Sequence, residues 1–91
     1  MLQTLSPEKA NEVGHPTAFI HRWNVNEGGR IVEVIYDYGA MDGATWVSGK
    51  DTEGHSLQKQ YTFRDDDFAA IKSADYAQAA IIAGLQAAGE I

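Results

Sequence analysis

The chain has 91 residues, 44% of them hydrophobic, and no cysteine, which suits one globular domain over residues 1–91 and excludes disulfide staples, thiolate zinc sites and cysteine nucleophiles. Thirteen acidic residues against seven basic ones leave a net charge of −6, and scattered Lys and Arg argue against a face that grips nucleic-acid phosphates. The longest apolar run, Ala79 to Ala83, is too short to span a bilayer; with no basic and apolar leader in MLQTLSPEK, the cytoplasm is the expected location.

LSPEKANEVG predicts a short N-terminal helix. Ser6 is placed to accept from the first free N–H groups, Pro7 suits the first helical position, and Gly14 suits the stop. His15-Pro16 then forces an extended exit.

From Thr17 to Val25 the side chains alternate, with Phe19, Trp23 and Val25 on one face and Ile20, Arg22 and Asn24 on the other. NEGGR follows as a turn in which Gly28 and Gly29 supply positive φ, and the β-branched, aromatic run IVEVIYDY completes a hairpin. In that run Val32, Val34, Tyr36 and Tyr38 share one face; Ile31, Glu33, Ile35 and Asp37 share the other. Asp42-Gly43 is a turn dipeptide leading to a short strand, ATWVS, and the polar loop GKDTEGH separates it from SLQKQYTFR. In this last strand Leu57, Tyr61 and Phe63 point inward, while Gln58, Gln60, Thr62 and Arg64 point outward.

After RDDD the apolar period lengthens from two to three or four, which predicts a helix with an aspartate as its N-cap. ADYAQAAIIAGLQAAGEI carries Ala74, Ala77, Ile81, Leu85 and Ala88 on one stripe, with Ser73 or Asp75 available to cap it and Gly89 to end it. Continuity through Ala70–Lys72 leaves one bent helix or two consecutive ones equally compatible with the pattern. The expected fold is α+β: a four-stranded antiparallel meander, packed on one face by C-terminal helix, with a short N-terminal helix. Small residues on the last helix let it lie close to the sheet. Ile20, Ile31 and Ile35, assigned to faces opposite the aromatic set, make a homodimer a natural way to cover what remains.

The chemistry-bearing residues are few. His21, flanked by Phe19 and Trp23, reads as a core or sheet-end histidine with a satisfied hydrogen bond. Asp51, Glu53 and His55 alternate along one side of a segment, a donor set suited to zinc or manganese and to a small metal-dependent enzyme; Gly49 and Gly54 favour an ordinary turn. Asp65, Asp66 and Asp67 suit a helix start, or, joined by Asp37, Asp42 and Asp51, an acidic patch that mimics nucleic-acid phosphates toward a basic groove. Ser48, Ser56 and Ser73 lack the surroundings of a nucleophile elbow, and the Gly-Lys pair at Gly49-Lys50 leads into a loop and not a helix, unlike a phosphate loop. No cofactor is expected. The reading that results is a small acidic non-enzymatic protein-binding module, in one concrete form an inhibitor of a larger protein encoded by a virus or mobile element. Its partner surface is expected at Met41, Asp42 and Trp46 with Asp37 and Tyr38 alongside, because Tyr and Trp bury much area for few rotamers.

Overall fold

The computed structural model describes residues 1–50 and 52–91. A three-residue strand, β1 (Leu2–Thr4), comes first. It pairs antiparallel with β2 (Thr17–Asn26), and Met1 prolongs the pairing by donating its amino group to the Ile20 carbonyl at 2.9 Å. Nothing in LQT announces a strand; it forms because β2 offers an open edge.

Between them lies α1 (Pro7–Val13), built as its residues dictate. The Ser6 hydroxyl accepts from the Lys9 N–H at 3.2 Å, Pro7 opens the first turn, and Gly14 ends the helix at φ 77°, a conformation that costs glycine little.

β2 and β3 (Ile31–Asp42) form the expected hairpin. Positive φ in its loop falls on Arg30, at 55°, and not on Gly28 or Gly29; Gly29 instead donates to the Asn26 side chain at 2.8 Å. The register carries one bulge. From Asn26↔Ile31 to Arg22↔Ile35 the pairs follow the turn, after which Ile20 lies opposite Tyr36, so His21 is the extra residue. A single inserted residue exchanges the faces of everything beyond it. Ala18 and Ile20 therefore join Tyr36 and Tyr38 in the core, while Phe19 moves to the opposite face. This corrects the expected alternation, which had Phe19 with Trp23 and put Ile20 on the other side.

β4 (Thr45–Ser48) returns from a two-residue loop beginning with Gly43, at φ 62°, and pairs with Gly39–Asp42 of β3. β5 (Gln58–Arg64) then lies beside the other half of β3, Ile31–Asp37, and not beside β4. The sheet is antiparallel and α+β as expected, but the meander order changes at this last strand. β3 is 12 residues long and β4 four, so more than half of one β3 edge stays unpaired until β5 fills it; a backbone edge buried without partners would be costly.

The C-terminal segment is two helices, α2 (Asp65–Ser73) and α3 (Gln78–Ala87). α2 closes with Tyr76 N–H on the Ile71 carbonyl and Asp75 N–H on Lys72, both at 2.9 Å, with Asp75 at φ 58°. This is the helix-ending pattern usually built on glycine, and here it breaks the helix between two apolar stripes. Neither helix takes the side-chain cap the sequence suggests: Arg64 and Ala77 are the N-caps, and neither makes a capping hydrogen bond. α3 ends at Gly89, φ 76°, with Glu90 N–H bonded to the Leu85 carbonyl at 2.9 Å.

One apolar cluster holds these elements together. Val32, Val34, Tyr36, Tyr38 and Phe63 from the sheet meet Phe68 and Ile71 of α2 and Ile81 and Leu85 of α3, while Ala10 and Val13 of α1 pack at its margin. Gly84 sits on the Phe63 ring so closely that an added Cβ would lie 2.7 Å from a ring carbon. Helix and sheet approach because that position has no side chain. Among the described residues no helix lies on the opposite face of the sheet, and none is long and apolar enough to cross a membrane.

A candidate interaction site on the open sheet face

Residues opposite one another in an antiparallel pair share a face. By that rule Leu2, Phe19, Asp37 and Gln58 line up across four strands on the side away from the helices, and Thr4, Thr17, Gly39 and Ser48 form the next row. Met41 and Trp46 are paired beyond them.

Asp37 is at the centre of this face and only 2% exposed. Burying a carboxylate is costly unless its oxygens are bonded, and both are. His21 Nε2 lies 3.1 Å from Oδ1, and the Ser48 hydroxyl donates to Oδ2. The bulge brings His21 next to Asp37, and the β3–β4 pairing brings Ser48 one row away. Trp46 Nε1 in turn donates to the Ser48 oxygen at 3.1 Å. A chain of hydrogen bonds therefore runs from Trp46 through Ser48 to Asp37, with His21 on the carboxylate's other oxygen.

Aromatic rings close around this chain. Phe19 lies 4.8 Å from the His21 ring and 5.3 Å from Trp46, centroid to centroid. The Trp46 ring also covers Gly39, where an added Cβ would meet it at 3.0 Å and would collide with the Val47 carbonyl. Packing and hydrogen bonding together hold Trp46 in one orientation, half-buried. Met41, 39% exposed, and Asp42 extend the surface to the hairpin tip.

A serine, a histidine and an aspartate within one network invite comparison with a nucleophilic triad. The wiring differs: the Ser48 hydroxyl donates to Asp37 and accepts from Trp46, with His21 on the far side of the carboxylate. A triad needs the histidine between the other two, positioned to take the serine's proton. What the arrangement does chemically is fix side chains in place.

Of the residues expected to meet a partner, Met41 and Trp46 are paired at one end of this face, while Asp42, the next residue of β3 and paired with Thr45, alternates to the other side at the hairpin tip. Asp37 lies beneath the rings as their support. Tyr38 belongs to the other side: it is 2% exposed in the core, and its hydroxyl donates to the Glu90 carbonyl at 2.5 Å. Phe19, Ser48 and the His21–Asp37 contact escaped the sequence reading of this surface. Counting register back from the turn puts Ile20 opposite Asp37, and only the bulge replaces it with Phe19. The one legible signal was Asp37 itself, an acid in the middle of a strand with apolar or aromatic residues on both sides.

The acidic residues do not form one patch. Asp42 is at the far end of β3 from Ile31, which pairs with Arg64, the residue preceding Asp65–Asp67. Twelve residues of strand separate the two ends, on the order of 36 Å, and Asp37 is buried. Of the alternative metal set, Asp51 lies outside the described residues. Glu53 and His55 approach to 3.7 Å and are largely exposed, and among the described residues no group of three His, Asp or Glu is placed to hold a metal ion.

No protein-family model matches the chain, and no curated protein or solved structure is significantly similar to it.

Proposed function

We propose that the protein is a small non-enzymatic protein-binding module, whose partner sits on the open sheet face around Phe19, Met41 and Trp46, with Asp42 at the adjoining hairpin tip. The observation that carries this reading is the hydrogen-bonded chain from Trp46 to Asp37. It restrains aromatic side chains on a face that no helix covers. Rigid Trp and Phe side chains lose little entropy on contact and dominate binding energies where they can be fully desolvated. The network spends a buried carboxylate on holding them, which the hydrophobic core on the other face does not require.

In this reading the acidic net charge steers encounter with a basic surface, and inhibition of a larger protein in the cytoplasm is the concrete form we favour. A second copy of the chain on the same face, giving a homodimer, is the competing occupant. The reading is tested by capturing partners from the native host with the wild-type chain and with Met41→Ala/Asp42→Ala/Trp46→Ala, both verified as folded by circular dichroism. Loss of a wild-type partner is expected. A partner retained by the folded triple variant overturns the assignment of this face, and a concentration-dependent doubling of mass that the triple variant abolishes assigns it to self-association.

A further inference from the structure

A second surface lies on the helix side, where β5 borders the sheet. β5 pairs only with β3, so among the described residues its outward backbone groups have no backbone partner. Proteins commonly blunt such edges with proline, bulges or very short strands. β5 has none of these: it is seven residues long, lacks proline, and keeps an unbroken register from Ile31↔Arg64 to Asp37↔Gln58, its charged residues being Lys59, drawn over the Tyr38 ring, and Arg64 at its end. The opposite edge is treated differently, being partly covered by β1 and bent by the bulge at His21.

An apolar cleft of about 290 Å³ adjoins this edge, since Phe63 of β5 lines it together with Ile71, Ala80, Ala83 and Gly84. Asp67 is the one charged residue in its lining, and Arg64, Asp65 and Asp66 surround a polar depression beside it. The volume is at or below the lower limit of small-molecule pockets, which also need several placed polar groups to orient a ligand. The polar groups available next to this cleft are a row of backbone donors and acceptors along β5 and the carboxylates of Asp65, Asp66 and Asp67. A ligand that uses both is an extended polypeptide.

We propose that β5 and the α2–α3 cleft form a docking groove for an extended segment of another protein. The segment adds to the sheet as a sixth strand, places one aliphatic side chain in the cleft over Phe63, and carries Lys or Arg beside it, toward Asp65, Asp66 and Asp67. Strand addition of this kind takes affinity from main-chain hydrogen bonds and specificity from the pockets that receive alternate side chains. A second copy of this chain is a poorer occupant. Its own β5 directs Tyr61 and Phe63 toward its own helices, where Phe63 is buried, and leaves no aliphatic side chain for the cleft. The groove uses none of the residues of the open face, so either surface stands or falls alone.

The test is selection of 12-residue peptides from a phage-displayed library on the full chain, followed by fluorescence anisotropy with one synthetic enriched peptide. Enriched sequences are expected to alternate apolar and polar residues, with an aliphatic residue next to Lys or Arg. Ala83→Trp, a change at an exposed helix position that fills the cleft, should weaken binding at least tenfold. Asp67→Lys should abolish the preference for basic residues, and Met41→Ala should change nothing. On saturation with peptide, alternate amides of Gln58–Arg64 should gain protection from hydrogen exchange. The proposal is overturned if no peptide is enriched, if the peptide binds the folded Ala83→Trp and Asp67→Lys variants as tightly as wild type, or if the β5 amides stay unprotected. Protection of those amides in the free protein, rising with its concentration, would assign the edge to a second copy and equally overturn it.

Discussion

The Tyr36 hydroxyl donates to a carboxylate oxygen of Glu90 at 2.5 Å, joining the middle of β3 to the turn after α3 across 54 positions of sequence. Tyr38 reaches the Glu90 backbone carbonyl beside it, and the two rings meet edge to face at 5.8 Å. The left-handed Gly89 makes this contact by turning the chain back from α3 over the sheet. The helix cap and the core are therefore one interaction.

Alkaline pH should release it. Burial is the main cause raising the pKa of both phenols above the ordinary 10.0; the hydrogen bond to Glu90 adds to the rise at Tyr36, and the Tyr36 hydroxyl partly offsets it at Tyr38. Above pH 10 the unfolded chain loses these protons while the native state keeps them, so the native state binds more protons and stability falls as pH rises. The contribution is complete below pH 10 and diminishes as pH climbs from there toward the native values. Urea midpoints measured from pH 8 to 12 should fall above 10, and less steeply in Tyr36→Phe. Tyr76, partly buried at the margin of the core and pushed up to about 12 by its hydrogen bond to Glu27, should appear near that pH in an ultraviolet titration.

Gly84→Ala should destabilise the protein although it improves helix propensity. Alanine is favoured over glycine by about 1 kcal/mol in a helix interior. Here the new methyl meets the Phe63 ring at 2.7 and 2.9 Å, and overpacking of a core costs about 1–3 kcal/mol. A net loss on the order of 1 kcal/mol by urea denaturation is expected. Phe63→Leu in the same chain should recover part of it, visible as favourable coupling in a double-mutant cycle.

Removing the Asp37 carboxylate should loosen Trp46 more than it unfolds the protein. Asp37→Ala leaves His21 and Ser48 without their shared acceptor, a loss of about 1–3 kcal/mol. In a Trp23→Phe background, Trp46 fluorescence anisotropy should fall in Asp37→Ala and in Ser48→Ala while the core clusters stay intact. Unchanged Trp46 mobility in both would remove the positioning role assigned to the network.

Two other glycines should respond differently to alanine. At Gly49 an added Cβ would strike the His15 imidazole, whereas at Gly39 it would strike the Val47 backbone carbonyl. A side chain can be truncated and a carbonyl cannot. His15→Ala should restore the thermal midpoint of Gly49→Ala, while no such partner substitution should restore Gly39→Ala, whose β3–β4 pairing must open.

Much of this architecture could be read from local pattern. Ser6, Pro7 and Gly14 bound α1 where their backbone chemistry requires; residues 17–25 and 31–38 read as strands, although β3 runs on through Gly39 to Asp42; Ile81 and Leu85 recur at helical spacing and are buried. These depend on a few neighbouring residues, so the sequence by itself determined them. The partner of β5, the bulge at His21 and the break at Ala74–Ala77 were decided by tertiary structure. An alternating strand gives no sign of where its register slips, because either face pattern is locally acceptable until a core selects one. Likewise β5 alternates the same way beside β3 or β4, and it goes where β3 has an unpaired edge. The site inherits the register slip: Phe19, His21, Asp37 and Ser48 come from three strands, β2, β3 and β4, and their meeting depends on a one-residue shift that the packing of Ala18 and Ile20 under the helices makes favourable.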